Sequence, residues 1–337
     1  MLSFVLAPFS WLYGAVMRFR NFLYDKGWKR SYSFHQAVVS VGNLSVGGTG
    51  KTPMIEYLVR LLSTDYSIAI LSRGYGRKTK GFRLADESDD ASTIGDEPFQ
   101  FYKKFKGKVE IAVAEDRVEG INQLLALKKS IQVILLDDAF QHRRVKPLFS
   151  ILLTDFAKPF FSDFILPRGR LREPRNGSSR ANVIVVTKCT SLPGETETNY
   201  KSEIQSYAEA RPVFFSGIGY NKPVSLINSQ INKDVVVVTG IANSKPLIDH
   251  VSEKINLRYH FDFADHHSYS AKEVKEIQQR ALALQASILT TEKDFVKLEG
   301  IVDKKLWFYL PIETRILNNG SEFDKMVVDK IKSHLKG

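Results

Sequence analysis

The stretch Ser45-Val46-Gly47-Gly48-Thr49-Gly50-Lys51-Thr52 lies between an apolar run at 37–41 and a helix-like segment at 54–62. A strand, a glycine loop and a helix in this order form the context in which a Walker A loop (P-loop) binds a nucleotide triphosphate. Glycines let successive N–H groups turn toward phosphate oxygens, and the helix N-terminus adds positive potential. Lys51 is expected to reach the β- and γ-phosphates, and the Thr52 hydroxyl to contact Mg²⁺. Ser45 replaces the consensus glycine, but the GKT sequence and both flanks favour a phosphate loop over a chance glycine-rich turn.

Length, composition and charge narrow the class of protein. The 337 residues are enough for two domains, and 43% hydrophobic with 25% charged residues is typical of a globular protein. The single cysteine, Cys189, excludes an internal disulfide, and its place after an apolar strand predicts a packed thiol rather than a nucleophile. The net charge of +11 favours anionic partners such as a membrane surface or phosphorylated substrates. Nucleic acid is the weakest of these, because the chain has no zinc-finger, RRM or helix-turn-helix signature.

The N-terminus differs from the rest of the chain. Residues 1–17 contain no charged side chain, and a basic group follows: Arg18, Arg20, Lys26, Lys29 and Arg30. Apolar residues recur at helical spacing, at Leu2, Leu6, Phe9, Tyr13 and Val16. A signal peptide carries its positive charge before the apolar run, and a spanning helix needs about 20 apolar residues. An amphipathic helix at the membrane interface fits better, and a helix docked on the protein's own core is the alternative.

Short apolar strands alternate with helix-like segments along the remaining chain. After the P-loop helix, such strands lie at 67–71, 109–113, 131–136, 150–153 and 182–186. This pattern predicts an α/β fold with a parallel sheet covered on both faces, and ligands bind beyond the carboxyl ends of such strands. A polar segment at 191–210 suggests a hinge near its end. Strands at 235–238, 259–263, 287–289 and 306–310, with helices near 247–254 and 272–284, then indicate a smaller α/β domain.

Polar motifs follow several of these strands. Asp137 and Asp138 end an apolar strand, as the carboxylates of a Walker B segment do, where they would hold Mg²⁺. A solvated strand end is the alternative, and the upstream P-loop favours the metal. Arginine-rich loops follow at 72–77, 141–144 and 167–175, and planar guanidinium groups suit phosphate oxygens. The sequence Thr187-Lys188-Cys189-Thr190 lacks the aspartate that reads guanine, which favours ATP.

Two further motifs are open to more than one interpretation. Asp96, within Gly95-Asp96-Glu97-Pro98, suits a helix N-cap and also a general base that faces a substrate hydroxyl. The residues alone favour the N-cap. The sequence Asp265-His266-His267 suits a metal site, an acid/base role or a phosphate contact, and the residues alone do not decide among them.

Together and in this order, the motifs resemble the tetraacyldisaccharide 4′-kinases, the lipid A 4′-kinases of Gram-negative bacteria. The matching segments span nearly the whole chain: VGNL at 41–44 before GGTGKTP, SRGYGR at 72–77, GDEP at 95–98, AEDR at 114–117, DDAFQH at 137–142, LPRGRLREP at 166–174, VTGIA at 238–242, FADHHSY at 263–269 and TTEKD at 290–294. Ala139 stands where the family usually has glycine. The family also tolerates a residue other than glycine at the position of Ser45.

The resemblance implies a P-loop (RecA-like) parallel-sheet kinase domain joined by a hinge to a smaller Rossmann-like α/β domain. We place a membrane-associating helix at 1–28, the kinase domain at 29–210 and the smaller domain at 211–337. The implied reaction uses Mg²⁺ and transfers the γ-phosphate of ATP to the 4′-hydroxyl of a tetraacyldisaccharide 1-phosphate, a lipid A precursor. The implied location is the cytoplasmic face of the inner membrane, with no nucleic acid and no obligate protein partner.

The resemblance also implies roles for individual residues. ATP is bound by Ser45, Val46, Gly47, Gly48, Thr49, Gly50, Lys51 and Thr52. Mg²⁺ is bound by Thr52, Asp137, Asp138 and Glu173. Asp96 becomes the catalytic base, supported by His266 or His267, and Lys51 and Asp138 are also catalytic. The lipid substrate is bound by residues among Arg73, Tyr75, Arg77, Arg117, Gln141, His142, Arg143, Arg168 and Arg172.

Two other functional classes remain open to the sequence. One is a membrane-recruited P-loop NTPase that transfers phosphate only to water, and it predicts ATP hydrolysis that does not depend on lipid. The other is a non-catalytic membrane-binding module. The P-loop, the aspartate pair and Asp96 together argue against the second.

Overall fold

The computed structural model describes residues 5–191, 194–225, 227 and 229–337, so Leu2 of the predicted apolar face and Leu192 and Pro193 of the predicted polar segment lie outside it. The strands are β1 (Ala37–Asn43), β2 (Ile68–Ser72), β3 (Arg83–Leu84), β4 (Glu110–Val113), β5 (Val133–Asp137), β6 (Phe149–Asp155), β7 (Val183–Thr187), β8 (Val213–Tyr220), β9 (Val224–Ser225), β10 (Asp234–Thr239), β11 (Asn256–Asp262), β12 (Ser287–Thr291), β13 (Trp307–Leu310) and β14 (Ile312–Ile316). The helices are α1 (Ala7–Asp25), α2 (Lys51–Leu62), α3 (Ala91–Ile94), α4 (Asp96–Phe105), α5 (Arg117–Leu127), α6 (Gly194–Ala208), α7 (Lys245–Lys254), α8 (Ala271–Ala283), α9 (Glu292–Leu298) and α10 (Gly320–Lys336).

The larger sheet has nine strands in the order β14-β8-β7-β6-β1-β5-β2-β4-β3. Its central strands are parallel, and β1 pairs with β5 on one side and β6 on the other. Alternate residues of β1 point to opposite faces. Val39 and Val41 pack with α2 and α10, whereas Val38 packs with the side of α5 that carries Ile121. The predicted parallel sheet with helices on both faces is therefore confirmed.

The smaller sheet has five strands in the order β11-β10-β12-β13-β9, and all pairs except β13–β9 are parallel. Its two faces are covered by different helices. Val236 and Val238 pack with Val274 and Ile277 of α8. On the opposite face, the alternate valines of β10 pack with α7. The second α/β unit expected from the sequence is thus present.

The polar segment after residue 190 is more ordered than its composition predicts. It forms α6, which buries Ile204 and Ala208. The chain then adds β8 to the larger sheet beside β7, enters the smaller sheet, and returns through β14, which pairs antiparallel with β8. The domain boundaries remain a prediction, and this sheet membership supports crossing points after β8 and before β14 rather than near residue 210. We therefore propose that the smaller domain lies between these two strands.

Helix α1 docks on the protein through a narrow face and exposes the rest. Ser10 and Gly14 are buried, and Ser10 Oγ donates a hydrogen bond to the Ile165 carbonyl at 2.6 Å. The outer face carries five apolar side chains that are each more than half exposed: Phe9, Trp11, Leu12, Val16 and Phe19. A docked face and an exposed apolar face therefore occur on the same helix. In the described part of the chain, no helix has both the length and the apolar character needed to cross a bilayer.

Candidate active site

The phosphate loop has the backbone geometry expected of it. Gly47 and Gly50 have φ of 104° and 82°, in the left-handed region that favours glycine, and Gly50 is the N-cap of α2. Strand β7 supports the loop from behind, because Thr187 Oγ1 donates to the Thr49 carbonyl at 2.9 Å. The next residue, Lys188, donates to the Gly48 carbonyl. With these carbonyls held outward, the loop and the N-terminus of α2 form an anion site.

The start of the loop is braced by the arginine-rich segment. Ser45 forms an antiparallel bridge with Leu171. The Val46 N–H donates to the Arg170 carbonyl at 2.8 Å, and the Arg172 N–H donates to the Leu44 carbonyl at 2.7 Å. Ser45 is 5% exposed, so a side chain larger than that of glycine is accommodated at the consensus position.

The aspartate pair lies beside the loop because β1 and β5 are hydrogen-bonded neighbours, with Val41 opposite Asp137. Asp137 Oδ2 accepts a hydrogen bond from Ser72 Oγ at 3.1 Å. Asp137 Oδ1 is buried and has no hydrogen-bond partner among the residues that the structure describes. Burial, followed by the charge of Asp138, raises the pKa of Asp137 to about 6. A cation beside this carboxylate would stabilise its ionised form.

Asp138 follows the end of β5 with a φ of 49°, which turns it away from the strand direction. Its carboxylate lies 3.7 Å from Lys51 Nζ and accepts hydrogen bonds from Arg172 Nη1 at 3.0 Å on both oxygens. Burial opposes ionisation of Asp138, but Lys51 and Arg172 outweigh it and lower the pKa. The two adjacent carboxylates thus point in different directions and each contacts other side chains. The alternative of a solvated strand end is therefore wrong.

The oxygens near the loop suit Mg²⁺, which prefers hard oxygen ligands and commonly takes one or two protein carboxylates together with substrate phosphates. Such oxygens are offered by Asp138, by Thr52 in the first turn of α2, and by Asp137 Oδ1, which is unpaired among the described residues. Within the described ranges, no cluster of three or more acidic, histidine or cysteine side chains is arranged to hold a metal alone. These residues therefore fit a metal that the nucleotide phosphates help to hold.

Glu173 differs from the expectation that it contacts the metal. Its carboxylate is 1% exposed, and Arg180 Nη2 donates to both oxygens at 2.8 Å. Gln141 Nε2 and Asn21 Nδ2 each donate to it at 2.9 Å. These four hydrogen bonds occupy both oxygens of the carboxylate, so its contacts do not support a role as a metal ligand. Through Asn21, Glu173 instead connects α1 to the core of the site.

Asp96 is the first residue of α4, and its side chain does not cap the helix, because Gly95 is the N-cap. Gly95 has a φ of 96°, and a Cβ there would lie 3.0 Å from the Tyr75 carbonyl. Asp96 Oδ2 instead contacts His266 Nδ1 at 3.0 Å and Lys297 Nζ at 2.8 Å. Burial opposes ionisation, but these two contacts outweigh it and lower the pKa of Asp96. The N-cap favoured by the residues alone is therefore wrong.

The two histidines of the DHH sequence have different surroundings. His266 has a φ of 62° and faces Asp96 across the two sheets. His267 Nε2 contacts Glu273 Oε1 at 3.1 Å, and its ring stacks on Phe263 with 4.5 Å between ring centroids. The structure thus places His266 beside Asp96, and it places His267 within the smaller sheet's own packing.

Asp96 and the aspartate pair lie at the same edge of the larger sheet. Ser72, which donates to Asp137, ends β2, and the loop that follows packs against Gly95. The charge of Glu97 is also among the causes that raise the pKa of Asp137. These contacts place Asp96 and the aspartate pair at the edge of the larger sheet where the P-loop follows β1.

Several side chains predicted to bind the substrate instead make hydrogen bonds within the protein. Arg117 is 2% exposed and donates to the Ala114 carbonyl at 2.9 Å. Burial, followed by the charge of Arg117, lowers the pKa of His142 to about 4, and His142 Nε2 accepts from the Arg117 N–H at 3.1 Å. Gln141 Nε2 donates to the Asn43 carbonyl at 2.8 Å. Arg143 Nη1 donates to the Asn21 carbonyl at 2.8 Å and its Nη2 lies 2.6 Å from Asp25, so it anchors α1.

The other predicted substrate contacts lie on the two loops that flank the site. Arg73 and Tyr75 are exposed. Arg77 Nη2 lies 2.5 Å from Glu115, while its Nε and Nη1 are buried without a hydrogen-bond partner among the described residues. The Arg168 guanidinium lies 3.9 Å from the centroid of the Phe164 ring. Arg172 Nη1 lies 3.0 Å from Asp138, one of the two carboxylates expected to hold Mg²⁺.

Sequence reasoning missed the lysines that contact Asp96 and His266. Lys297 contacts Asp96, and Lys293 Nζ lies 3.1 Å from His266 Nε2. Both belong to α9, which begins within the TTEKD segment. Their spacing of four residues places them on one face of a helix, and this was the only signal available to the sequence.

A phosphate loop at the end of β1, an aspartate pair at the end of the adjacent β5, and a third aspartate at the same edge define a P-loop phosphotransferase. A family model described as LpxK, tetraacyldisaccharide-1-P 4′-kinase, matches residues 2–332. The chain is 44% identical to the tetraacyldisaccharide 4′-kinase of Flavobacterium psychrophilum, with 97% of this chain and 96% of the relative covered. The corresponding values for the tetraacyldisaccharide 4′-kinase of Bacteroides thetaiotaomicron are 42%, 98% and 92%.

A solved structure gives the same result. It is the "apo" form of LpxK from Aquifex aeolicus in complex with ATP, which matches with a TM-score of 0.79 at 31% identity and covers 98% of this chain and 99% of that one. The chain therefore belongs to the tetraacyldisaccharide-1-P 4′-kinase family, and its activity is that of an ATP-dependent kinase of lipid A biosynthesis. The resemblance drawn from the motifs and the α/β fold class are confirmed.

Proposed function

We propose that residues 45–52 hold the phosphates of ATP while Asp96 accepts the proton of the 4′-hydroxyl of a tetraacyldisaccharide 1-phosphate. The observation that carries this proposal is the contact of Asp96 with His266 at 3.0 Å, at the same edge of the sheet as the P-loop. In the reaction, a bond forms between the 4′-oxygen and the γ-phosphorus, the bridging P–O bond breaks, and ADP leaves. The hydroxyl proton moves to Asp96.

Asp96 and Lys51 make different contributions. Phosphoryl transfer depends mainly on alignment and on neutralising the oxygens of the transferred group, so Lys51 acts at the γ-phosphate from the first turn of α2. Lys297 and His266 keep Asp96 ionised, which makes it a proton acceptor fixed in orientation rather than a strong base. This suits a loose transition state, in which the hydroxyl loses its proton late.

We propose Asp137, Asp138 and Thr52 as the residues that hold Mg²⁺, which when bound neutralises charge on the β- and γ-phosphates. The supporting observations are the Oδ1 of Asp137, which has no hydrogen-bond partner in the described part of the chain, and the lowered pKa of Asp138. Arg172 reaches both oxygens of Asp138 with a single nitrogen, so this carboxylate keeps acceptor capacity for a metal, unlike Glu173, which accepts four hydrogen bonds. The side chains of Arg73, Tyr75, Arg77 and Arg168 remain our candidates for the disaccharide or its 1-phosphate.

We also propose that α1 lies at the cytoplasmic face of the inner membrane. Its outer face exposes Phe9, Trp11 and Leu12, and basic residues follow in the second half of the helix. Aromatic rings at the headgroup level and arginines beside anionic lipid stabilise such a position. Flotation with vesicles that contain phosphatidylglycerol tests this: Leu12→Ser with Val16→Ser should lower vesicle binding several-fold. The matched exposed residue Leu127→Ser on α5 should leave binding unchanged, and equal binding of all variants would contradict the proposal.

The central test mixes the protein, Mg²⁺, ATP labelled at the γ-phosphate and a tetraacyldisaccharide 1-phosphate, and then locates the label. Label on the glycolipid supports the kinase, whereas label only in inorganic phosphate supports the NTPase alternative. Lys51→Ala should abolish transfer, while Lys129→Ala should not, because Lys129 is exposed and precedes β5, at the strand end opposite the aspartate pair. Asp96→Asn should lower kcat by at least 100-fold with little effect on ATP affinity, because a base contributes to the chemical step. Equal losses in kcat and in ATP affinity would contradict the role of Asp96.

A further inference from the structure

Helix α9 presents two lysines, one turn apart, to the pair formed by Asp96 and His266. Lys297 Nζ lies 2.8 Å from Asp96 Oδ2. Lys293 Nζ lies 3.1 Å from His266 Nε2, on the side of the imidazole opposite to Asp96. Lys293 also lies 3.2 Å from Asp265 Oδ1 and 3.8 Å from Glu97 Oε1. The imidazole is therefore held between a carboxylate at Nδ1 and an ammonium at Nε2.

Only one protonation form of His266 satisfies both contacts. A lysine ammonium donates hydrogen bonds and accepts none, so Nε2 must present its lone pair to Lys293. A carboxylate accepts hydrogen bonds, so Nδ1 must carry the proton that faces Asp96. The Nε2–H tautomer would place N–H against ammonium and lone pair against carboxylate. An imidazolium would still place an N–H against Lys293.

We propose that Lys293 is a positioning residue that selects the Nδ1–H tautomer of His266 and so directs a hydrogen bond onto Asp96. This proposal rests on the proposed role of Asp96 as the proton acceptor. In that tautomer, Asp96 Oδ2 receives both the imidazole N–H and the Lys297 ammonium. The carboxylate is thereby fixed by two donors on one oxygen, which sets the direction of the other oxygen toward the incoming hydroxyl.

The charges around His266 explain why Lys293 is needed. Three carboxylates face the ring, from Asp96 and Glu97 on α4 and from Asp265 in the adjacent loop, and they are opposed by Lys293 and Lys297. From the loop after β2, the aromatic ring of Tyr75 approaches the imidazole with 6.3 Å between the ring centroids. Without Lys293, three carboxylates would face the ring against one ammonium. That environment favours an N–H at Nε2, which the present arrangement excludes.

The experiment compares Lys293→Met, Lys293→Arg and, as a matched control, Lys275→Met, an exposed lysine on α8. The tautomer of His266 is read from the ¹⁵N shifts of histidine-labelled protein, assigned with His266→Gln. The wild-type protein should show a protonated Nδ1 and an unprotonated Nε2, and Lys293→Met should lose this pattern. We expect Lys293→Met to lower kcat about 10- to 100-fold, with KM for ATP nearly unchanged. A proton at Nε2 either replaces the Nδ1–H bond to Asp96 or makes the ring a cation, which weakens Asp96 as a proton acceptor. Lys293→Arg should recover most of kcat, and Lys275→Met should match the wild type.

Two results would overturn the proposal: a wild-type spectrum with a protonated Nε2, or Lys293→Met with an unchanged tautomer. The wild-type tautomer is read without Lys293→Met, so a folding defect in that variant leaves this test intact. A failure of the proposed function gives a different result, because Asp96→Asn would then keep near-normal phosphate transfer whatever the tautomer of His266.

Discussion

Replacing Lys104 by methionine should destabilise the protein, and more so at alkaline than at mildly acidic pH. Lys104 Nζ lies 2.8 Å from Glu56 Oε2 on α2 and 2.8 Å from Glu292 Oε2 on α9. Lys104 itself is on α4, so its ammonium joins three helices: α2 after the P-loop, α4 after Gly95 and α9 of the smaller α/β unit. The substitution removes the only cation shared by these two carboxylates in the described part of the chain.

The magnitude follows from the burial of Glu56, which is 1% exposed. Burial raises the pKa of Glu56 from 4.5 to about 6, even with Lys104 in place. When the pKa of a carboxyl is higher in the folded than in the unfolded state, the free energy of unfolding falls as the pH rises past both values. For Glu56 the difference of about 1.5 pKa units lowers the free energy of unfolding by about 2 kcal/mol above pH 6. Removing one partner of a buried ion pair costs about 3–5 kcal/mol, less whatever protonation relieves. We expect Lys104→Met to lose about 3 kcal/mol at pH 8 and about 1 kcal/mol at pH 5.5, where Glu56 takes up a proton.

The assay is urea unfolding at both pH values, with Lys103→Met as the matched control. Lys103 is the neighbouring lysine on α4 and pairs with Glu299 at 3.1 Å, but its side chain is 46% exposed. An exposed pair contributes about 0–1 kcal/mol, so this variant should differ little from the wild type at either pH. The reasoning is refuted if both variants lose the same stability, or if the loss in Lys104→Met does not shrink at pH 5.5.

Three further predictions concern the site. The pKa of Asp137 is raised to about 6, so only about a quarter of this carboxyl is ionised at pH 5.5. The Mg²⁺ concentration for half-maximal turnover should therefore be about fourfold higher at pH 5.5 than at pH 8, and a constant value would contradict Asp137 as a ligand. Glu173→Gln should lose about 1.5–3 kcal/mol in urea unfolding, because Arg180 keeps only a neutral partner, with the Mg²⁺ requirement unchanged; a large rise in that requirement would restore Glu173 as a ligand. His266→Gln should lower kcat at least 10-fold, whereas His267→Gln, which alters only packing and the Glu273 contact, should stay within a few-fold, and the reverse order would refute the assignment.

Much of the fold was predictable because its strands are continuous apolar runs with buried neighbours on both sides. The elements that were missed lack this signal. Helix α6 buries only Ile204 and Ala208 in a polar sequence, so its pattern resembles a linker. Strand β14 is partly exposed along its length and gains its place by pairing with β8. Such elements are specified by their neighbours in the sheet, and a single sequence does not show those neighbours.

The site divides in the same way. The P-loop and the aspartate pair were predictable, because strand, loop and helix are adjacent in sequence and their chemistry is local. The partners of Asp96 were not predictable, because His266 is 170 residues away and α9 packs on the smaller sheet. The left-handed φ of His266 separates its direction from that of His267, and only tertiary structure sets that angle. Glu173 was assigned to the metal by the family resemblance alone, and its partner Arg180, seven residues further on, lies outside the matching motif.

The segment at 170–173 contacts the P-loop, Asp138 and helix α1. Leu171 pairs with Ser45 at the start of the P-loop, Arg172 holds Asp138 and accepts a hydrogen bond from Tyr13 through its carbonyl at 3.0 Å, and Glu173 binds Asn21. Helix α1 and the nucleotide therefore share one strip of backbone as a common support. Where occupancy of one surface stiffens that strip, thermodynamic reciprocity demands that occupancy of the other tighten the first by the same factor. The ratio of lipid affinities with and without nucleotide would then equal the ratio of nucleotide affinities with and without lipid, because both measure the same coupling free energy.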